Sequence, residues 1–157
     1  MQRITPFLWF DKEAEEAANF YVSVFKNSKI TGMTRYTGEE PVGMKGSVMT
    51  LDFELDGQEF VALNGGPRFK FTEAVSFVVN CKTQEEIDYY WEKLTPGGGE
   101  EVQCGWLTDK YGLSWQVVPE KIGEWARDGA GFQRVMKAVM EMKKLDVAAL
   151  QAAYDGK

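Results

Sequence analysis

One order of elements occurs twice in this chain, and that repetition restricts its fold more than any other feature of the sequence. Ile4 to Phe10 is almost wholly apolar, which predicts a strand covered on both faces. Asp11 follows as a candidate N-cap, with Glu13 in the first turn. Ala14, Ala17, Ala18, Tyr21, Val24 and Phe25 then recur at the spacing of an amphipathic helix. Ile30 to Tyr36 is a strand candidate. Ser47 to Leu55 alternates well, with Met49, Leu51, Phe53 and Leu55 on one face and Val48, Thr50, Asp52 and Glu54 on the other. Asp56-Gly57 is a two-residue hairpin signal, and Gln58 to Asn64 returns as the partner strand. Asn64-Gly65-Gly66-Pro67 closes this β-α-β-β-β unit.

The second half repeats the order. Val75 to Cys81 reads as a strand, Thr83 with Glu86 as a capping box, and Ile87, Tyr90, Trp91 and Leu94 as a helical stripe stopped by Pro96-Gly97-Gly98-Gly99. Strands are expected at about Glu101 to Asp109 and Ser114 to Pro119, joined by the turn Asp109-Lys110-Tyr111-Gly112. A shift of 70 positions lays Glu15-Glu16 on Glu85-Glu86 and Tyr21 on Trp91. The tail carries one helical face of Phe132, Val135, Met136, Val139 and Met140. Lys143-Lys144 follows at its C-terminal end, and then a short helix capped by Asp146 with Val147, Leu150 and Tyr154 on its face. The expected fold is therefore α+β, a pair of βαβββ modules within a single domain. Module 1 spans about 1–67 and module 2 about 70–120, with C-terminal helices in 121–157 that pack on the sheet or on a second subunit.

Composition removes several classes of function. With 18 basic and 24 acidic residues the net charge is -6, and no basic stripe is present to displace counterions, so nucleic acid is not expected as a partner. There is no histidine, which removes Ser-His and Cys-His dyads and His-based zinc sites. Two cysteines make no disulfide framework or four-thiolate cluster. No apolar run approaches the roughly 20 residues of a membrane span, and the first residues lack the pattern of a secretory signal. The expectation is a soluble, cytoplasmic protein with no cofactor.

Four stretches carry a resemblance: PFLWFDKEAEEAANFY (Pro6 to Tyr21), LNGGPRFKFTEAVSFVV (Leu63 to Val79), CGWLTDKYGLSWQVVP (Cys104 to Pro119) and VMEMKKLDVAALQAAY (Val139 to Tyr154). With the tandem modules, they resemble the vicinal oxygen chelate superfamily, home of glyoxalase I, extradiol dioxygenases and bleomycin-resistance proteins. Within it they resemble the PhnB-like branch, whose members are labelled 3-demethylubiquinone-9 3-methyltransferase-like. The resemblance implies an eight-stranded, cup-shaped sheet around a ligand, commonly closed by a homodimer. It also implies metal ligands on the first, fifth and eighth strands. Those positions fall here near Thr5 or Pro6, on Ala74 and on Gln116, so the metal pattern is missing and no metal is expected.

The expected function is a metal-independent small-molecule-binding protein. The alternative is an enzyme of the same fold, either the methyltransferase of the label or a metal-independent isomerase or lyase. The candidate ligand-binding residues are Asn64, Ser76, Cys104, Trp106 and Gln116. Gln116 can both donate and accept, and the alternation that turns Trp115 and Val117 to the helix side turns Gln116 and Ser76 the other way; internal hydrogen bonding is the plain alternative. Cys104 and Trp106 share a face if one strand runs through both; Cys104, like Cys81, otherwise serves as a small buried hydrophobe. Asn64 either orients a ligand or caps its own turn. Arg68 and Lys70 either meet an anion or form a charged loop. Gly97-Gly98-Gly99 follows a helix and precedes a strand, the reverse of the Gly-rich turn that a Rossmann-type methyltransferase needs.

Overall fold

The computed structural model describes residues 2–157. The chain divides into two compact units, one ending at Phe71 and the other spanning Thr72–Lys157.

In the first unit, β1 (Phe7–Phe10), α1 (Ala14–Val24), β2 (Lys29–Arg35), β3 (Val48–Leu55) and β4 (Gln58–Asn64) build a four-stranded sheet of order β1-β4-β3-β2. β1 runs parallel to β4, and the other pairs are antiparallel. The β3–β4 turn is the predicted one: Asp56 and Gly57 have φ of 48° and 81°, the left-handed pair that a type I′ turn needs. α1 buries Ala14, Ala17, Ala18, Tyr21 and Val24 against β3 and β4. The Tyr21 ring lies nearly parallel to Phe53 at 6.4 Å, and Phe53 to Phe60 at 5.4 Å. These contacts cover one face only. Leu8 and Phe10 are buried while Phe7 on the opposite face is 58% exposed, so β1 is not covered on both sides as its apolar run predicts.

The second unit repeats the plan with β5 (Ser76–Cys81), α2 (Gln84–Leu94), β6 (Glu100–Glu101), β7 (Trp106–Thr108) and β8 (Ser114–Pro119), in the order β5-β8-β7-β6. α2 starts as predicted, with Thr83 Oγ1 accepting from the Glu86 N–H at 3.2 Å. It buries Ile87, Trp91 and Leu94. The single strand expected over Glu101 to Asp109 is instead two, β6 and β7, turned back on each other between 102 and 105.

Three helices follow: α3 (Ile122–Trp125), α4 (Gly129–Val139) and α5 (Val147–Tyr154). Asp128 and Asp146 cap the last two by accepting from Gly131 N–H and Ala149 N–H. Trp125, Val135, Val139, Leu145 and Leu150 form a separate buried cluster, with Phe132, Val147 and Tyr154 packed against it. The predicted α4 stripe therefore divides. Phe132, Val135 and Val139 are used within the chain, whereas Met136 and Met140 stay 37% and 67% exposed. Lys144 does not end a helix; it pairs with Asp88 of α2 at 2.8 Å. Among the described residues, no helix is long and apolar enough to cross a membrane.

Candidate functional site

Side-chain alternation assigns each sheet two faces. In the second unit Val79, Cys81, Trp115 and Val117 are buried toward α2. The opposite face is organised in rows by the strand register. One row runs Ser76–Ser114–Thr108–Glu100 and the next Val78–Gln116–Trp106. Ser76 and Gln116 meet diagonally: Gln116 Nε2 donates to Ser76 Oγ at 2.9 Å. Because Ser76 Oγ accepts this bond, its own proton remains available to donate. Gln116 keeps Oε1 and its second N–H. Trp106 stands directly across from Gln116, half-buried, and supplies an aromatic surface.

Ser114 shares the Gln116 face by alternation but is not among the sequence candidates. It is 1% exposed, and its hydroxyl has no hydrogen-bond partner among the described residues. Leaving a buried hydroxyl unmatched costs about 1–3 kcal/mol. Its place between Ser76 and Thr108 in one row makes it part of the same polar patch.

The other two sequence candidates lie elsewhere. Cys104 does not share a strand face with Trp106, because the chain leaves the sheet before β7. Cys104 has a left-handed φ of 65°, its N–H donates to Met142 O at 2.7 Å, and its side chain packs on the C-terminal helical cluster. Asn64 belongs to the first unit, where its amide makes two structural bonds. Oδ1 accepts from the Ala14 N–H at 2.8 Å and Nδ2 donates to Val48 O at 3.1 Å, while its backbone carbonyl accepts from the Tyr36 hydroxyl. Asn64 thus caps α1 across the sheet, a role predicted for Asp11; the residue at the cap position is Glu13, with no side-chain capping bond.

Much of the stretch from Cys104 to Pro119 is a structural lock. Asp109 is 2% exposed. Its Oδ1 accepts from the N–H groups of Tyr111 and Leu113, at 2.8 and 3.1 Å, and its Oδ2 from Trp115 Nε1 at 2.8 Å. Cys81 is inert: burial, and then the carboxylates of Glu86 and Glu120, push its thiol up to about 12. Arg68 lies over the Phe69 ring at 5.3 Å, a cation–π contact. Asp52 is exposed, and Glu54 pairs with Lys29 at 3.8 Å.

The superfamily's metal does not fit these residues. The corresponding positions offer Thr5 or Pro6, Ala74 and Gln116; the amide nitrogen of Gln116 is already bonded to Ser76. Among the described residues no group of three His, Cys, Asp or Glu side chains is placed to hold an ion.

Comparison with known proteins agrees with this architecture. The PhnB protein from Bacillus cereus, which carries a 3-demethylubiquinone-9 3-methyltransferase description, is 42% identical. The match covers 75% of this chain and 99% of that one, with a TM-score of 0.67. A Pseudomonas aeruginosa protein is 19% identical over 76% of this chain and 98% of its own, with a TM-score of 0.61. The fosfomycin resistance protein FosX from Listeria monocytogenes is 15% identical over 78% and 94%, with a TM-score of 0.54, a likeness of fold alone. No curated protein matches the chain. The 3-demethylubiquinone-9 3-methyltransferase family model matches residues 2–118, which takes in both modules and leaves out the three C-terminal helices. The chain belongs to that family, the PhnB-like branch of the vicinal oxygen chelate superfamily.

Proposed function

We propose that this protein binds a small molecule on the open face of the second sheet, without a metal, through Ser76, Gln116 and Trp106. The observation that carries the reading is the Gln116–Ser76 hydrogen bond, which leaves the Ser76 proton and Gln116 Oε1 to a ligand. These polar valences stand next to an aromatic side chain, the usual composition of a small-molecule site. The test is a thermal-shift screen on chelator-treated protein. A ligand at 100 times its dissociation constant adds about 2.7 kcal/mol of stability. The shift should persist in chelator and vanish in Gln116→Leu. A ligand that binds only after metal is restored would overturn the metal-free reading.

The family description favours a second reading, methyl transfer. The Gly97-Gly98-Gly99 run speaks against a Rossmann-type cofactor cradle there. A Cβ at Gly99 would come within 2.3 Å of Thr95 O and 2.5 Å of Thr108 O, so that glycine lets the end of α2 back onto β7. Calorimetry with S-adenosylmethionine decides between the readings: saturable micromolar binding would support methyl transfer.

The proposal extends to a cytoplasmic homodimer. Two free cysteines suit a reducing compartment, and the exposed Met136 and Met140 give α4 an apolar strip for a second copy. A chain that stays monomeric at high concentration in light scattering would defeat the dimer.

A further inference from the structure

Two surfaces of this chain carry opposite charge beside exposed apolar side chains. The first is on α4. Gln133, Met136, Lys137 and Met140 recur at helical spacing and, with Arg134, line a groove of about 600 Å³. An adjoining groove shares Arg134 and Lys137 and adds Glu141 and Lys157. Arg134 donates to the carbonyls of Ala153 and Tyr154, whereas Lys137 and Lys157 make no ion pair among the described residues. Three cations against one carboxylate make this strip basic, in a chain whose net charge is -6. The division is regional. Residues 121–157 hold seven basic and five acidic residues, which leaves 11 and 19 of the chain's 18 and 24 to residues 1–120.

The second surface belongs to the first unit. The start of α1 and the loop 37–47 border a cavity of about 460 Å³, whose lining includes Asp11, Lys12, Glu15, Val42 and Met44. Asp11 and Glu15 are exposed and make no ion pair among the described residues; with Lys12 they leave one net negative charge. Val42 and Met44 are 47% and 81% exposed. The loop that presents them is held in place. Gly46 N–H donates to Tyr36 O at 2.8 Å, and Tyr36 N–H to Ser47 O at 2.9 Å. Gly43, at a φ of 85°, lies so close on the Tyr36 ring that a Cβ there would come within 2.3 Å of it. The apolar rim is therefore formed before any partner arrives.

We infer, on the reading of this chain as a homodimer, that the α4 strip of one copy seats on the α1–loop cavity of the other, and reciprocally. Lys137 meets the carboxylates of Asp11 and Glu15, and the pliable Met136 and Met140 cover Val42 and Met44. A twofold axis makes the contact twice and closes the pair. Packing α4 on α4 of the second copy would instead bring Arg134 and Lys137 toward their own copies, with like charges facing each other.

Sedimentation equilibrium of the full chain at low salt tests this with Lys137→Glu, Glu15→Lys and an equal mixture of the two variants. Both positions are exposed, so both variants should melt with the wild type. Each alone should dimerise at least about fivefold more weakly, because the altered pair occurs twice. The mixture should regain dimers within about threefold of the wild type. In a mixed pair one contact joins the two substituted residues and the other keeps the two original ones, so both are of opposite sign. A wild-type dimer indifferent to Glu15→Lys, or one tightened by Lys137→Glu, would overturn these surfaces and leave the homodimer standing. A mixture no stronger than its components would do the same. If the wild type stays monomeric at high concentration, the homodimer and its surfaces fall together.

Discussion

Asn64 Oδ1, at the end of β4, accepts the backbone N–H of Ala14, at the start of α1, across 2.8 Å and 50 residues of sequence. The first helix of this chain is capped by a strand that follows it in sequence. The cap couples α1 to the β3–β4 hairpin, because the same amide also donates to Val48 O at the start of β3.

Asn64→Ala should therefore destabilise the protein by about 2 kcal/mol, through two lost bonds and an orphaned helix N–H. For a chain of this length that is a fall in Tm of about 4–8 °C. Asn64→Asp retains the acceptor for Ala14 and adds a negative charge near a helix N-terminus, while its second oxygen must turn away from Val48 O. It should recover at least half of the loss. Thermal melts of the two variants side by side check this; equal losses would disprove the capping role.

Asp109→Asn should cost about 2 kcal/mol or more in urea unfolding. The carboxylate accepts from three N–H groups, and one of them, Trp115 Nε1, would face an amide N–H₂ or force the amide to turn against the backbone donors. The Trp115 indole resonance should move with the substitution. An unchanged midpoint would show that the turn holds without the carboxylate.

The Cys81 thiol gives a pH signature. Its folded-state value is raised to about 12 from an ordinary value of 9.0. Above the ordinary value, the unfolded chain releases this proton while the native one retains it. The native state then binds more protons, so stability falls as pH rises between about 9 and 12, with a slope approaching about 1.4 kcal/mol per pH unit. Below the ordinary value both states are protonated and the contribution is complete. Cys81→Ala removes this slope, so the stability difference between wild type and variant should shrink or reverse between pH 9 and 11. A constant difference would show that the thiol titrates normally.

The C-terminal helices give a paired prediction. Val135 is fully buried, and Val135→Asp places an unpartnered charge in the cluster, which should unfold the protein at physiological temperature. Met140, 67% exposed, tolerates Met140→Glu within about 0.5 kcal/mol in the monomer. Circular dichroism melts separate the two. If the glutamate variant also lowers the sedimentation mass, it reports the dimer proposed above.

What the sequence made legible was what local chemistry controls. Asp56-Gly57 announced a type I′ turn because two positive φ values leave few other choices, and Thr83 and Asp146 announced caps that reach only three residues ahead. What stayed hidden depended on distant partners. Asp11 looked like the α1 cap because the true acceptor of that bond, Asn64 Oδ1, arrives through the parallel pairing of β1 with β4. The break between β6 and β7 was invisible in an alternating run, since it is fixed by Cys104 and Gly105 bonding to residues 142 and 143. For the candidate site, alternation placed Ser76 and Gln116 on one face, but burial of Ser114 and the diversion of Cys104 needed the packed chain.

Those bonds at 104 and 105 have a consequence for the life of the chain. Both N–H groups belong to the turn between β6 and β7, and Met142 and Lys143 supply their acceptors. A chain cut near residue 118 would lose those acceptors and leave the turn without its two ties to the C-terminal segment. The amide protons at 104 and 105 should then exchange with solvent far faster than in the intact chain.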